Sequence, residues 1–561
     1  MTSPDHDSVV VITNPRSAWV ALGACLLVVF MQMLDTTIVN IALPDLTVGL
    51  GASSGDQVLV LAVYTLAFAC SLLTAARVGA RWGRRRVFLV ALMAFTAASV
   101  LCGLAADPLS LIIFRAVQGV AAAFASAQTL ALIASMFPAR HHPAVFGWYG
   151  AVAGVAAMLG PVIGGVLIAA DIFGWGWRSI FFVNVPIGVI AAIVGMRFIP
   201  VDAGTRGIPF DRLGAALSTA GLFALLYPLA VGREADWPPS LLALLLAAPL
   251  VLAAFVFHER RLATRGGSPL LQMSLLGVRS FGVGVSLSFL FFGVFAAFFF
   301  TISLSAQFGL GYSALKTGLL TVPFAVGAVV GSLTSPVIVR RLGSTTLTLA
   351  ALILAVALCW LAGVLHPDTA ALDLVNVVPA LVLGGAGTGL FVAPLQATIL
   401  SGADSTTIGS ASGAVPTIQQ IGASIGLAAI TIFFFGQVAT EARSTVAPVT
   451  EQLGTQLQST AVPELFRPAI TEGFARCATE QLTSAHPERR APGCGTTDAD
   501  ATSSGSAQGV VAAAEPPLRA AARLLAARTF MGAMQTTLWV LAALTALVSV
   551  LALLLRSPPR R

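Results

Sequence analysis

Apolar residues fill this chain in long blocks that almost no charge interrupts. The blocks lack both the strict alternation of a half-buried strand and the one-sided stripe of a water-facing helix. Runs of about 18 or more apolar residues are long enough to cross a bilayer as helices. On that criterion fourteen helices are predicted, over residues 17–43, 57–77, 87–105, 109–136, 144–169, 180–199, 213–232, 240–258, 281–303, 317–338, 345–365, 374–400, 410–436 and 530–555. The polar connections are short, with one exception. Residues 437–529 form a long polar segment that includes "TTDADATSSGSAQG". The composition of that low-complexity tract buries too little apolar surface to fold, so the tract is expected to be disordered.

Composition fits an all-α polytopic membrane protein. Of 561 residues, 57% are hydrophobic and 10% charged, against about 25% charged in soluble domains. Mean hydropathy is +0.90. The formal charge of +7 does not indicate a nucleic-acid partner, because the basic residues sit in short clusters between apolar runs. Those clusters report topology instead. With residues 1–16 as a cytoplasmic tail, Arg16, Arg77, Arg81, Arg84, Arg85, Arg86, Arg140, Arg197, Arg206, Arg212, Arg260, Arg261, Arg265, Arg279, Arg340, Arg341, Arg556, Arg560 and Arg561 all fall inside. The short outer loops hold only Arg178, Arg233 and Lys316. A multi-pass plasma-membrane protein with both termini cytoplasmic and no cleaved signal is expected. On this topology the 437–529 segment is extracellular. It holds Cys477 and Cys494, while Cys25, Cys70, Cys102 and Cys359 lie in predicted helices. In an external loop such a pair is either a disulfide or two free thiols.

One acid is out of place. Asp35, in "MQMLDTTIVNIALP", lies eight residues before the outer end of the first helix at Leu43, about 12 Å deep at about 1.5 Å per residue. The fourth helix runs the other way from Asp107 and Pro108, an N-cap followed by proline at the first helical position. Arg115 is seven residues further, about 10 Å below the same surface. No other acid lies comparably far inside a predicted span. Gln32, Asp35, Thr36 and Asn40 share an arc of about 140° at about 100° per residue, so one polar face turns from lipid. The pair is open to three readings: a static ion pair, an acid at a water-filled mouth, or a carboxyl that binds a proton or a cation in alternation. Gln118, Gln396, Gln419 and Gln420 are further intramembrane polar residues, each either a cavity liner or a structural hydrogen-bond former. The run "FLFFGVFAAFFF" (289–300) offers aromatics for a hydrophobic pocket, with most of them expected to face lipid.

Five stretches carry a resemblance: "LDTTIVNIALP" (34–44), "ARVGARWGRRRVF" (76–88), "FRAVQGVAAAF" (114–124), "GAVAGVAAMLGPVIGGVL" (150–167) and "WRSIFFVNVPIG" (177–188). In this order, and on fourteen helices, they resemble the major facilitator superfamily, in its drug:proton antiporter branch of the QacA/EmrB type. The resemblance implies two six-helix halves, residues 17–200 and residues 281–436 with 530–561, joined by a 201–280 linker that contributes helices 7 and 8. A fainter copy supports the repeat: "VRRLGSTT" echoes "GARWGRRR", and Gly413, Gly422 and Gly426 echo the fifth helix.

The resemblance also assigns roles. Asp35 and Arg115 correspond to proton-coupling residues. Arg81, Gly83, Arg84 and Arg85 correspond to a cytoplasmic gate loop, but the family's acid and leading glycine are replaced by Ala80 and Ala76. Asp211 or Asp404 is then the expected substitute acid. Gly150, Gly154, Gly160, Pro161, Gly164 and Gly165 match the helix signature of exporters; read by themselves they are a smooth face for close helix packing with a proline kink. The implied function is proton-coupled export of hydrophobic or cationic drugs by a monomer in the lipid bilayer, with no enzymatic activity, no cofactor and no metal. The alternatives are a proton-coupled importer or facilitator, and a non-transporting sensor or scaffold.

Overall fold

The computed structural model describes residues 15–171, 174–202, 204, 209–366, 372–404, 407–483, 494 and 505–555. Arg206, Arg556, Arg560, Arg561 and most of the low-complexity stretch lie outside them. Among the described residues there is no strand, and fourteen helices are long and apolar enough to cross a membrane. We number the long helices α1 (Pro15–Leu50), α2 (Ser54–Trp82), α3 (Arg84–Gly103), α4 (Pro108–Met136), α5 (His142–Ala170), α6 (Asn184–Phe198), α7 (Arg212–Val231), α8 (Pro239–Thr264), α9 (Arg279–Leu304), α10 (Ala314–Leu342), α11 (Thr345–Val364), α12 (Leu374–Leu400), α13 (Ile408–Gln458), α14 (Arg467–Thr483) and α15 (Gly505–Ala552). A one-turn helix, Ser179–Phe182, leads into α6.

Polar residues set the helix starts. Ser53 and Asp56 form a reciprocal capping box on α2, and Asp107 with Ser110 does the same on α4 ahead of Pro108. Ser313, Asp373 and Asp211 accept first-turn amides of α10, α12 and α7. Each cap satisfies a donor that the helix itself leaves open.

The packing repeats. Within the first six helices, α1 lies on α5, α2 on α4, α3 on α4 and α6. The second set repeats these pairs as α9 on α13, α10 on α12, and α11 on α12 and α15. The halves meet through α5 against α10 and α2 against α13, which are the same pair exchanged between halves. This is the signature of two repeats related by a twofold axis. Helices α7 and α8 pair with each other, and α7 rests on α2. Along α8, Leu246, Leu250 and Phe257 are exposed, as a helix at the lipid boundary requires.

Without a hydrophobic driving force between helices in lipid, close approach and interhelical hydrogen bonds hold such a bundle together. The glycines of α5 serve two neighbours. A Cβ at Gly160 would stand 1.9 Å from Thr37 Oγ1 and 2.9 Å from Thr37 Cβ on α1. One at Gly164 would meet Ile38 at 2.8 Å, and one at Gly150 would meet Ser332 Oγ on α10 at 2.8 Å. Gly154 and Gly165 have ordinary room, with nearest atoms at 3.8 Å. Pro161 lies within α5 and faces Gly318 of α10.

Two expectations change. In the aromatic run of α9, Phe291 and Phe298 are buried and the other phenylalanines half-buried, so the run packs against neighbouring helices as well as turning part of its surface outward. Phe291 stacks on Phe391 of α12 at 4.5 Å, and Phe295, Phe298 and Phe299 surround Phe324 of α10. The rings join three helices. The 437–529 connection is also largely helical in its described residues, since α13 runs on to Gln458, α14 follows, and α15 begins at Gly505. Val438, Ala442, Val446, Val449, Leu453 and Leu457 are all buried, at the three- and four-residue spacings of one helix face. Cys477 on α14 is bonded to Cys494, so the pair is a disulfide.

The glycine contacts give a direct test. Gly160→Ala is expected to destabilise the detergent-solubilised protein by about 1–3 kcal/mol through overpacking. Gly154→Ala should stay within about 0.5 kcal/mol of the parent. Thermal melting of the two variants side by side checks this.

Candidate functional site

Asp35 on α1 has no exposed surface, and Arg115 on α4 has almost none. The two side chains meet: Arg115 Nη1 donates to Asp35 Oδ2 at 2.5 Å. Depth arithmetic from opposite helix ends brought them to one level, and the α1–α4 contact closes the gap. The other carboxylate oxygen, Oδ1, accepts from Gln118 Nε2 at 2.9 Å and from Asn184 Nδ2 at 3.0 Å. Gln118 is itself fixed, since its Oε1 accepts from Arg115 Nη1 at 2.7 Å and its Nε2 also reaches Ser99 Oγ at 2.7 Å. Asn184 bonds the same Ser99 hydroxyl at 3.3 Å. The guanidinium lies over the Tyr64 ring of α2 at 4.3 Å, and Arg115 Nε reaches Val60 O at 3.4 Å.

Five helices, α1, α2, α3, α4 and α6, therefore meet in one network around the Asp35–Arg115 pair. Buried ions are tolerated only when the pair is completed by further hydrogen bonds, and here three donors satisfy the acid. The arrangement can hold one negative charge in a water-excluded place and release its partner when that charge is lost. One atom is left over: Asn184 Oδ1 is buried and has no hydrogen-bond partner.

The turn between α2 and α3 is the second element. Gly83 adopts φ +93°, a conformation open to glycine at little cost, and a Cβ there would meet Asp202 O at 2.6 Å. The acid that meets the backbone of this turn is Asp202, while Asp211 lies in electrostatic reach of Arg77 on α2. Asp202, just beyond α6, accepts from the backbone N–H of Arg84 at 2.7 Å and of Arg85 at 3.1 Å. It thus caps α3 from another segment, and the Arg85 side chain donates to Met196 O on α6. The acid of this turn acts on backbone amides, which is why side-chain pairing logic did not find it. Asp404 accepts from the Thr407 amide and hydroxyl. Asp211 caps α7 through Gly214 N at 2.8 Å and meets His258 Nε2 at 3.0 Å. Burial opposes ionisation of Asp211, but the Gly214 amide and the His258 ring outweigh it and hold the carboxyl below its ordinary range. Ala76 and Ala80 have a packing role: a Cβ at Gly413 of α13 would meet Ala76 Cβ at 2.6 Å, and one at Gly409 would meet Ala80 Cβ at 3.5 Å. These small residues let α2 and α13 touch.

Residues 25–427 match the sequence profile of the Major Facilitator Superfamily. The chain belongs to that superfamily. It is 34% identical over 543 residues to the probable actinorhodin transporter of Streptomyces coelicolor, covering 97% of this chain and 92% of the relative. It is 36% identical over 438 residues to the puromycin resistance protein pur8 of Streptomyces alboniger, covering 76% and 83%. Among solved structures, the human organic anion transporter MFSD10 aligns with a TM-score of 0.54 at 16% identity, covering 74% of this chain and 93% of that one. That likeness supports the fold alone.

Within the superfamily fold, the glutamines expected to line a cavity divide. Gln118 is instead part of the charge network. Gln32 is buried and donates to Ala122 O at 2.8 Å, joining α1 to α4. Thr36 donates to Gln32 O and Asn40 to Thr36 O, both within α1, and Asn40 is exposed. Gln396 is buried with Oε1 unpartnered; Gln419 and Gln420 are half-buried on α13. An open groove of about 650 Å³ lies between α2 and α7, lined by Val63, Leu66, Cys70, Phe210, Thr219 and Phe223 among others. Its walls include none of the predicted liners.

Sequence reasoning missed Ser99, Asn184, Tyr64 and Glu259. Asn184 had a usable signal, as a lone amide in an apolar run of a spanning segment. Glu259 fell one residue past the predicted end of the eighth helix; in the structure α8 continues to Thr264 and Glu259 is fully buried.

The cap across the turn is testable. Asp202→Ala should cost about 1 kcal/mol, as lost caps do, and should speed hydrogen exchange at the Arg84 and Arg85 amides. Asp404→Ala should leave those two amides unchanged. Exchange measured by mass spectrometry on peptides spanning 80–90 separates the two.

Proposed function

We propose that this chain exports small hydrophobic or cationic antibiotic-like molecules across the plasma membrane in exchange for protons, with Asp35 as the proton-binding group. The observation that carries the reading is the buried Asp35 carboxylate, held by Arg115, Gln118 and Asn184 and shielded from water. The match over nearly the whole chain to a probable actinorhodin transporter supports the substrate class. The arginine-rich helix ends, including the 81–86 turn, face the cytoplasm on the charge-asymmetry rule.

The mechanism follows from the donors. Ionised Asp35 binds Arg115 and keeps α1, α4 and α6 together. A proton entering from the outside neutralises the acid, and the attraction to Arg115 falls. The new O–H needs an acceptor, and a turn of the Asn184 amide presents Oδ1, the buried acceptor without a partner. Arg115 is then held by Gln118, Val60 O and the Tyr64 ring. Proton loss to the inside restores the pair. Rocking of the halves across the α2–α13 and α5–α10 contacts alternates access, and substrate occupies the cavity only while the acid is in one of its two states.

Cells loaded with a fluorescent cationic dye provide the test. Export is expected to stop when a protonophore collapses the gradient, and Asp35→Asn should reduce gradient-driven export to the level of cells lacking the protein. Export that survives the protonophore, or substrate-driven proton movement that persists in Asp35→Asn, would overturn the reading.

A further inference from the structure

A second buried acid lies far along the chain from Asp35, where α7 begins and α8 ends. Glu259 has no exposed surface. Its Oε2 accepts from the Leu271 amide at 2.8 Å, while Oε1 has no hydrogen-bond partner. Oε1 faces Asp211. The space between the carboxylates exists because residue 214 is glycine: a Cβ there would stand 2.2 Å from Asp211 Oδ2 and 2.5 Å from Glu259 Oε1. His258 closes the third side, with Nε2 3.0 Å from both Asp211 oxygens. One ligand-capable atom from each of Asp211, His258 and Glu259 falls within 4.8 Å of the other two.

Two carboxylate oxygens that face each other in a buried place need either a shared proton or a cation between them. Arg77 of α2 is a further charged group in electrostatic reach of both acids. It offsets one negative charge and leaves the second. We propose that Asp211, His258 and Glu259 bind one first-row divalent transition-metal ion, zinc in the first instance. Two carboxylate oxygens and one imidazole nitrogen are the borderline donor set that zinc accepts, with a water as fourth ligand. Tetrahedral bonds of about 2.0 Å imply ligand–ligand edges of about 3.3 Å, and the His258–Asp211 separation of 3.0 Å already lies near that value. Ion entry is through His258, which keeps 24% of its side-chain surface exposed while Asp211 keeps 6%.

The ion would tie three segments together: the first turn of α7, the last turns of α8, and the strap at Leu271 that leads into the second half. Helices α7 and α8 stand outside the two repeats, and nothing in the repeat symmetry fixes their ends. The site is independent of the proton reading at Asp35 and can fail or hold without it.

The full-length protein, purified in detergent and stripped with a chelator, is titrated with Zn²⁺ against a fluorescent zinc indicator. One tight equivalent is expected in the parent. It should weaken by at least about tenfold in His258→Gln, a loss already typical of an outer-shell partner, and in Gly214→Ala, where the three ligands remain but the added methyl fills the space. Size exclusion and circular dichroism check that each variant is folded. His258 is partly exposed, so its variant decides the matter if Gly214→Ala does not fold. Absence of a tight equivalent in the parent, or equal zinc binding by parent and His258→Gln, would overturn the proposal and leave a shared proton to hold the two acids.

Discussion

The Asp35–Arg115 ion pair organises the first half of this transporter. Desolvating a carboxylate and a guanidinium costs several kcal/mol for each ion even after relaxation, so neither is stable in this place alone. Each needs the other, and both need the neutral donors and acceptors around them. Gln118 and Asn184 complete the acid, and Gln118, Val60 O and the Tyr64 ring complete the base. The requirement fixes the relative positions of α1, α2, α4 and α6 more tightly than apolar packing in lipid does. Removing one partner leaves an uncompensated buried charge, a loss of about 3–5 kcal/mol. Protonating the acid avoids that penalty on the carboxylate and shifts it to Arg115, which keeps other partners.

How much of this was legible in the sequence depends on the kind of signal. Span number and the depth of Asp35 and Arg115 follow from counting, because charge is rare in apolar runs and helix rise is constant. The neutral members of the network were harder. Serines and asparagines occur in many membrane helices, and nothing in a single sequence says which of them meet Ser99 or Asn184. Asp202 escaped because it binds backbone amides, which every residue has. The phenylalanines of α9 were misplaced because a lipid-facing aromatic and one buried between helices look alike in a uniformly apolar run.

The long connection before α15 is a different case, since its signal was present. Val438, Ala442, Val446, Val449, Leu453 and Leu457 keep a three- and four-residue spacing through an otherwise polar stretch. In water that pattern marks a helix with one apolar side. Overall polarity and the "TTDADATSSGSAQG" tract masked it. The helices α13 and α15 run far beyond the thickness of a bilayer's hydrocarbon core, about 30 Å, as α13 spans 51 residues, or about 77 Å at about 1.5 Å per residue. The Cys477–Cys494 bond fastens the chain following α14 back onto that helix.

Helix α2 links the charge pair to the contact between the halves. Its N-terminal part carries Val60 and Tyr64, which hold Arg115; its C-terminal part carries Ala76 and Ala80, which fit Gly413 and Gly409 of α13. Contact continuity alone does not make a coupling path; a path needs an element with two arrangements that both ends bias. Arg115 supplies one, because its guanidinium can be held chiefly by Asp35 or chiefly by Gln118 and α2. On the proposed mechanism, neutral Asp35 would leave the second set to carry more of the load, and the force on α2 would change near Val60 and Tyr64. At the Ala76–Gly413 and Ala80–Gly409 contacts themselves, small residues bring α2 and α13 close together. A small displacement there would therefore pass to α13 rather than into rotamers. On that mechanism, Ala76 and Ala80 would make the contact between α2 and α13 a steric one rather than an ionic one.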